Sequence, residues 1–331
     1  MNRALFSLVL FAAPAFATVS GTVVNRTTGA PQAGVEVEFI KVDQGGMQVA
    51  GQAKSDAKGA FTIDQAPGQT SMVRATLDGV SYTHVLQPGQ PTTGLSVDVY
   101  NAFTQQGAAK VSKHMLLFGP SGGQMSVQET FLISNSGKAT WNDPNGGTVR
   151  FYLPGAAKGK ADVSVTPPGG LPLSGSTVKT SKADVYAVEF PVRPGESRID
   201  VNYAVPYTEG SAYVGRIPTQ DENTYLIAPS GVTLQGENLN DLGSEPQTHA
   251  HIYGLTGAAY KIQLTGAAAP AETAGSGGQD GAPQVEAMMP RVIQKAPLIL
   301  ALALAILAIG FVMLYRAPGN SGKETNERGR R

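Results

Sequence analysis

The sequence predicts an all-β extracytoplasmic protein, built as tandem β-sandwiches and followed by one C-terminal transmembrane α-helix. Three observations predict it. Short runs of alternating apolar and polar residues, separated by Gly and Pro, recur from residue 19 to residue 264, and a period of two is the mark of half-buried strands. The chain holds 40 Gly and 22 Pro in 331 residues, and no long stretch before residue 290 sustains the i, i+3, i+4, i+7 spacing of an amphipathic helix. Residues 296–315, APLILALALAILAIGFVMLY, carry no charge. A helix of that length rises about 30 Å, the thickness of a bilayer's hydrocarbon core, and satisfies its own backbone polar groups as lipid demands.

The elements follow in order. Residues 1–17, MNRALFSLVLFAAPAFA, read as an export signal: Arg3 supplies the positive start, an apolar run follows, and Ala15-Phe16-Ala17 is an A-x-A cleavage site. The run is too short to span a bilayer comfortably, so the mature chain is expected to begin at Thr18. There is no cysteine. That excludes disulfides, thiol nucleophiles, thiolate metal sites and a lipoprotein anchor, so stability must come from buried cores.

Residues 18–100 form the first predicted sandwich. Val35, Val37 and Phe39 share one face of a strand, and Leu95-Ser96-Val97-Asp98-Val99 repeats the pattern. In Asp56-Ala57-Lys58-Gly59-Ala60-Phe61-Thr62-Ile63, Asp56 and Gly59 suit a tight turn, with Asx bonding and a positive φ available, and Phe61 and Ile63 face the core. Gly21-Thr22-Val23, then Gly29, Pro31, Gly34 and Val37, then Asp56, Gly59 and Phe61, then Pro67-Gly68, then Asp78-Gly79-Val80-Ser81-Tyr82 stand in an order that resembles the carboxypeptidase regulatory-like family. The resemblance covers the whole of this segment. It implies a transthyretin-like, seven-stranded sandwich, also described as a carbohydrate-binding-like fold. It implies no catalysis, because in metallocarboxypeptidases such a domain accompanies the catalytic one. One departure is that Gly68 leads into Gln69-Thr70-Ser71-Met72, without the aromatic common after that turn.

Residues 101–265 are a second β region, with strands expected at 113–118, 125–134, 149–153, 163–165, 185–192, 198–205, 212–217, 225–227 and 260–264. Residues 191–196 read as the connection between two of them. One elaborated sandwich is the first reading; two small domains split near Pro206 is the alternative. Residues 266–290 are rich in Ala, Gly and Pro and read as a flexible stalk. Arg291 and Lys295 precede the apolar segment, and five basic residues follow it in 316–331, which places the C-terminal tail in the cytoplasm and the β regions outside an inner membrane. Residues 18–290 carry 17 Lys or Arg against 23 Asp or Glu. A mildly acidic exterior without a basic patch argues against nucleic acid as a partner.

Candidate chemistry is sparse. Gly119-Pro120-Ser121-Gly122-Gly123 matches G-x-S-x-G, but a strand pattern follows where a nucleophile elbow needs a helix, so a hairpin loop is expected. The histidines are His84, His114, His249 and His251, with no H-E-x-x-H. On a strand, His249 and His251 would share a face and are the metal-ligand candidates, although two imidazoles do not complete a site. Asp221, Glu222, Glu237 and Asp241 lack the spacing of a calcium loop and read as solvated charge. Trp141, the single tryptophan, lies among turn formers and is the ligand-binding candidate; a plug over the end of the sandwich is the structural alternative. No phosphate loop or dinucleotide fingerprint is present, and no cofactor is expected. The sequence thus reads as a non-enzymatic, membrane-anchored binding or assembly module of a bacterial cell envelope with a protein partner. A carbohydrate-binding protein is the second reading, and a cryptic hydrolase the third.

Overall fold

A computed structural model describes residues 18–43, 46–66, 70–219 and 223–266. They belong to the first of two compact units, Met1–Ala271; the second, Glu272–Arg331, lies outside the described residues. So do the expected signal at 1–17, the stalk beyond Gly266, the spanning segment at 296–315 and the basic tail. Among the described residues the chain is all-β apart from one 3-10 turn at Gly155–Ala157, and no helix is long and apolar enough to cross a membrane.

The first eight strands are β1 (Val19–Asn25), β2 (Ala30–Pro31), β3 (Glu36–Asp43), β4 (Gly46–Lys54), β5 (Ala60–Ile63), β6 (Thr70–Leu77), β7 (Val80–Leu86) and β8 (Leu95–Val99). One sheet runs β4-β3-β6-β7, antiparallel throughout. In the other, β1 pairs antiparallel with β2 and β5 and parallel with β8. Alternation turns Val37, Phe39, Val73, Phe61 and Val97 into one core between them. The turn before β5 is built as its residues require. Asp56 Oδ1 accepts the N–H groups of Lys58 and Ala60, both at 2.8 Å, and Gly59 closes the turn at φ 73°. Phe61 then enters the core at 3% exposure.

The remaining strands are β9 (Ala102–Phe103), β10 (Ala109–Ser121), β11 (Gln124–Asn135), β12 (Thr140–Trp141), β13 (Val149–Tyr152), β14 (Asp162–Thr166), β15 (Leu173–Ser174), β16 (Ser176–Lys179), β17 (Val185–Glu189), β18 (Gly195–Pro206), β19 (Ala212–Arg216), β20 (Thr224–Ala228), β21 (Thr233–Gly236), β22 (Leu239–Ser244), β23 (His251–Leu255) and β24 (Ala259–Thr265). An eight-stranded sheet runs β15-β14-β18-β11-β10-β20-β23-β22. Two three-stranded sheets, β13-β17-β16 and β19-β24-β21, share a second core with it, which gathers Phe118, Phe131, Phe151, Ile199, Leu226 and Ile262. Residues on both sides of Pro206 enter this one core.

The β10–β11 hairpin closes through Gly122 and Gly123, at φ 58° and 77°, a two-residue loop whose twist suits its strands. Ser121 therefore stands at a strand end and is followed by another strand, as the residues indicated. Between 219 and 249 the sequence indicates one strand, at 225–227, which is β20; the structure adds β21 and β22 to that polar stretch. β22 is an exposed edge strand with little apolar alternation, so periodicity carries no signal there. Likewise β18 begins at Gly195, at φ 110°, which shortens the expected 191–196 connection.

Candidate functional site

Trp141 stands in the joint between the two cores. β12 pairs in parallel with β9 and bridges to Val192, and the indole Nε1 donates to the Thr104 carbonyl at 3.2 Å. Its half-buried ring packs against the second core. Around it the first core's edge is tied down. Tyr82 donates its hydroxyl to the Tyr100 carbonyl at 2.9 Å and lies 2.9 Å from Thr140 Oγ1. The Arg193 guanidinium lies 5.2 Å from the Tyr82 ring and donates to the Ser81 carbonyl. Asn25 Nδ2 donates to Asn101 Oδ1 at 2.7 Å. Burial pushes the Tyr82 hydroxyl up and pulls the Arg193 guanidinium down from their ordinary values. An indole so engaged braces a joint.

The two histidine candidates do not share a strand face. β23 starts at His251, and His249 sits before it in an exposed left-handed turn at φ 55°. His251 instead joins Asp241 and Ser244: its Nε2 is 2.6 Å from Asp241 Oδ1 and its Nδ1 is 3.1 Å from Ser244 Oγ. The Gly243 N–H first, then His251, holds the Asp241 carboxyl below the usual range. This is a Ser–His–Asp set, but its ring nitrogens are exchanged relative to the hydrolytic arrangement, in which the carboxylate orients Nδ1 and Nε2 serves the hydroxyl. His251 and Asp241 are also 31% and 64% exposed, so water competes for both. The set spans the irregularity of β22 between Asp241 and Ser244. No group of three or more His, Asp or Glu able to hold a metal occurs among the described residues.

A polar cluster that the sequence reading missed lies inside the second core. His114 and Glu129 are 0% and 1% exposed, on adjacent strands, with Nε2 and Oε1 at 2.7 Å. His114 stacks on Phe131 with ring centroids 4.2 Å apart. Tyr203 and Tyr213 join hydroxyls at 2.8 Å, and the Tyr260 ring lies 6.2 Å from that of Tyr213. Gly215 makes room for Tyr260, because an added Cβ would stand 2.2 Å from the ring. Burial, above all, pushes the three tyrosine hydroxyls up, and the nearby Glu129 charge adds to it. The signal was present in the sequence: Glu129 stands in phase with Met125, Val127, Phe131 and Ile133, and His114 with Leu116 and Phe118. The pair thus links adjacent strands inside the core, closed off from solvent.

The outer face of β4-β3-β6-β7 is divided in two. Val49, Ile40, Met72 and Val85 stand in direct register across all four strands, with Met47 and Val42 in the neighbouring row. Met47, Val49 and Val85 are 68%, 49% and 40% exposed at the two edges of the sheet, while between them Met72 is half-buried and Ile40 is covered by its neighbours at 3%. The row on the other side, Gln52, Glu38, Arg74 and Thr83, is polar, and Arg74 Nε donates to Glu38 Oε2 at 2.7 Å. Isolated apolar residues on a surface are ordinary; a contiguous set with a polar rim marks an interaction surface.

No protein-family model and no curated protein matches the chain. Among solved structures, the chain is similar to the M1 zinc metallopeptidase of Deinococcus radiodurans, at 12% identity and a TM-score of 0.26 over 48% of this chain and 42% of that one. A variant of that enzyme bound to a Tyr-Ser-Ala substrate matches at 12% identity and a TM-score of 0.27, over 48% and 43%. The chain thus spans less than half the length of these structures, and a likeness at such scores says nothing of its activity.

Proposed function

We propose that the chain is a non-enzymatic, membrane-anchored extracytoplasmic module of two β-sandwiches, which docks a protein partner of the bacterial envelope. The registered apolar row Val49–Ile40–Met72–Val85 carries this reading. A partner that covers it removes exposed apolar surface from water at about 25 cal/mol per Å². The flanking polar row limits how the partner can sit, since it must leave the Arg74–Glu38 pair wet or match it. The export signal, the uncharged segment 296–315 and the basic tail support the address, and the family resemblance of residues 18–100 supports a sandwich without catalysis.

Affinity capture from detergent-solubilised envelopes tests the reading. The full chain should retain a defined partner, and Val49→Glu with Val85→Glu should lose it while melting at the wild-type temperature. Retention of the same partner by that double variant sinks the assignment of the face.

A further inference from the structure

On the far side of the second core, the sheet β19-β24-β21 turns Tyr213, Leu234, Tyr260 and Ile262 inward and leaves its outer face open. There lies a shallow, open groove of about 510 Å³, whose polar lining side chains are exposed. Gln235 stands directly opposite Gln263, Val214 opposite Lys261, and Glu237 and Asn238 rise at one end. Asn238 holds a left-handed φ of 65°, and its carbonyl accepts both the N–H and the hydroxyl of Thr256, so that end is fixed. Among the described residues, the side chains of Gln235, Glu237, Asn238, Lys261 and Gln263 have no hydrogen-bond or ion-pair partner within the chain.

We infer that this groove is a binding site for an uncharged oligosaccharide. Each of the three amides offers two donors and an acceptor, which matches neighbouring sugar hydroxyls that both donate and accept. Lys261 and Glu237 cancel, so the groove favours neither an anion nor a cation. An extended peptide gains little in the middle of this face, because Ile262 and Gln263 of β24 are paired on both sides and their backbone is closed to strand addition. Val214, 51% exposed, and Ala259 give the C–H face of a sugar ring a small apolar rest. Tyr260 points inward, so no aromatic platform contributes, and hydrogen bonds of modest net strength set an affinity on the order of 1 mM. The inference stands apart from the docking face, with which it shares no residue.

The full chain, solubilised in a detergent without a sugar headgroup, is titrated calorimetrically with cellohexaose, maltohexaose and chitohexaose. Saturable binding of at least one is expected. Gln235→Ala with Gln263→Ala should weaken it tenfold or more at an unchanged melting temperature, and Lys261→Ala should weaken it less. Val49→Glu with Val85→Glu should leave it intact. The inference is overturned if none of the three sugars binds saturably, or if the glutamine variant binds as the wild type does. It is equally overturned if an oligogalacturonate or an uncharged Gly/Ser/Asn peptide binds more tightly than every neutral sugar.

Discussion

Gly59 shows how much one position can fix. Its φ of 73° lies in the left-handed region, and an added Cβ would stand 2.6 Å from the Val23 carbonyl oxygen of the neighbouring strand. Gly59→Val meets both obstacles and should cost about 2–5 kcal/mol. Phe61→Ala, two residues on, empties a place in the first core and should cost about 3–5 kcal/mol. Urea denaturation of the full chain measures both; a Phe61→Ala loss below about 1 kcal/mol would show that its ring is not a core anchor. This turn was legible in the sequence because the side-chain bonds that shape it are local: Asp56 Oδ1 reaches only to Lys58 and Ala60. Trp141 was not legible, because its partners, Thr104 and Val192, lie in other segments.

At the scale of elements, the eight-stranded sheet and β19-β24-β21 close around three buried tyrosines. Tyr203, Tyr213 and Tyr260 have folded pKa values raised above the ordinary 10.0. Their stability contribution is therefore complete below pH 10 and is lost as the pH climbs from there toward the folded values. Each hydroxyl that ionises only on unfolding adds a slope of about 1.4 kcal/mol per pH unit. Melting temperatures should fall steeply above pH 10, and Tyr213→Phe should flatten the fall; equal slopes in the two proteins would place the alkaline loss elsewhere. The strands that hold these rings were readable from strict alternation, as in β18 and β24. β21 and β22 were not, because short or solvent-facing strands have few inward positions to mark them. The groove escaped for the same reason: four of its nine lining residues come from that stretch.

Across the whole described region, the Arg193–Tyr82–Thr140 joint ties the first core to the second. The guanidinium spans from the second core to the Ser81 carbonyl and Tyr82 ring of the first, mostly out of water. Arg193→Ala removes the donor and leaves that carbonyl without it, a loss of about 1–3 kcal/mol. Calorimetry should record one cooperative unfolding transition for the wild type and two for the variant; a single transition in both would show that the remaining contacts, such as Asn25 to Asn101, suffice. β24 has a mechanical consequence as well. It is the middle strand of its sheet, in register with β19 over Ala259–Gln263 and with β21 over Ile262–Thr265, and the chain leaves it at Gly266 toward the C-terminal segment. Ladder hydrogen bonds lie perpendicular to the strands. Tension applied from the C-terminal side runs along β24 and shears both ladders at once, instead of peeling one bond after another, so the last described strand resists a pull from that end.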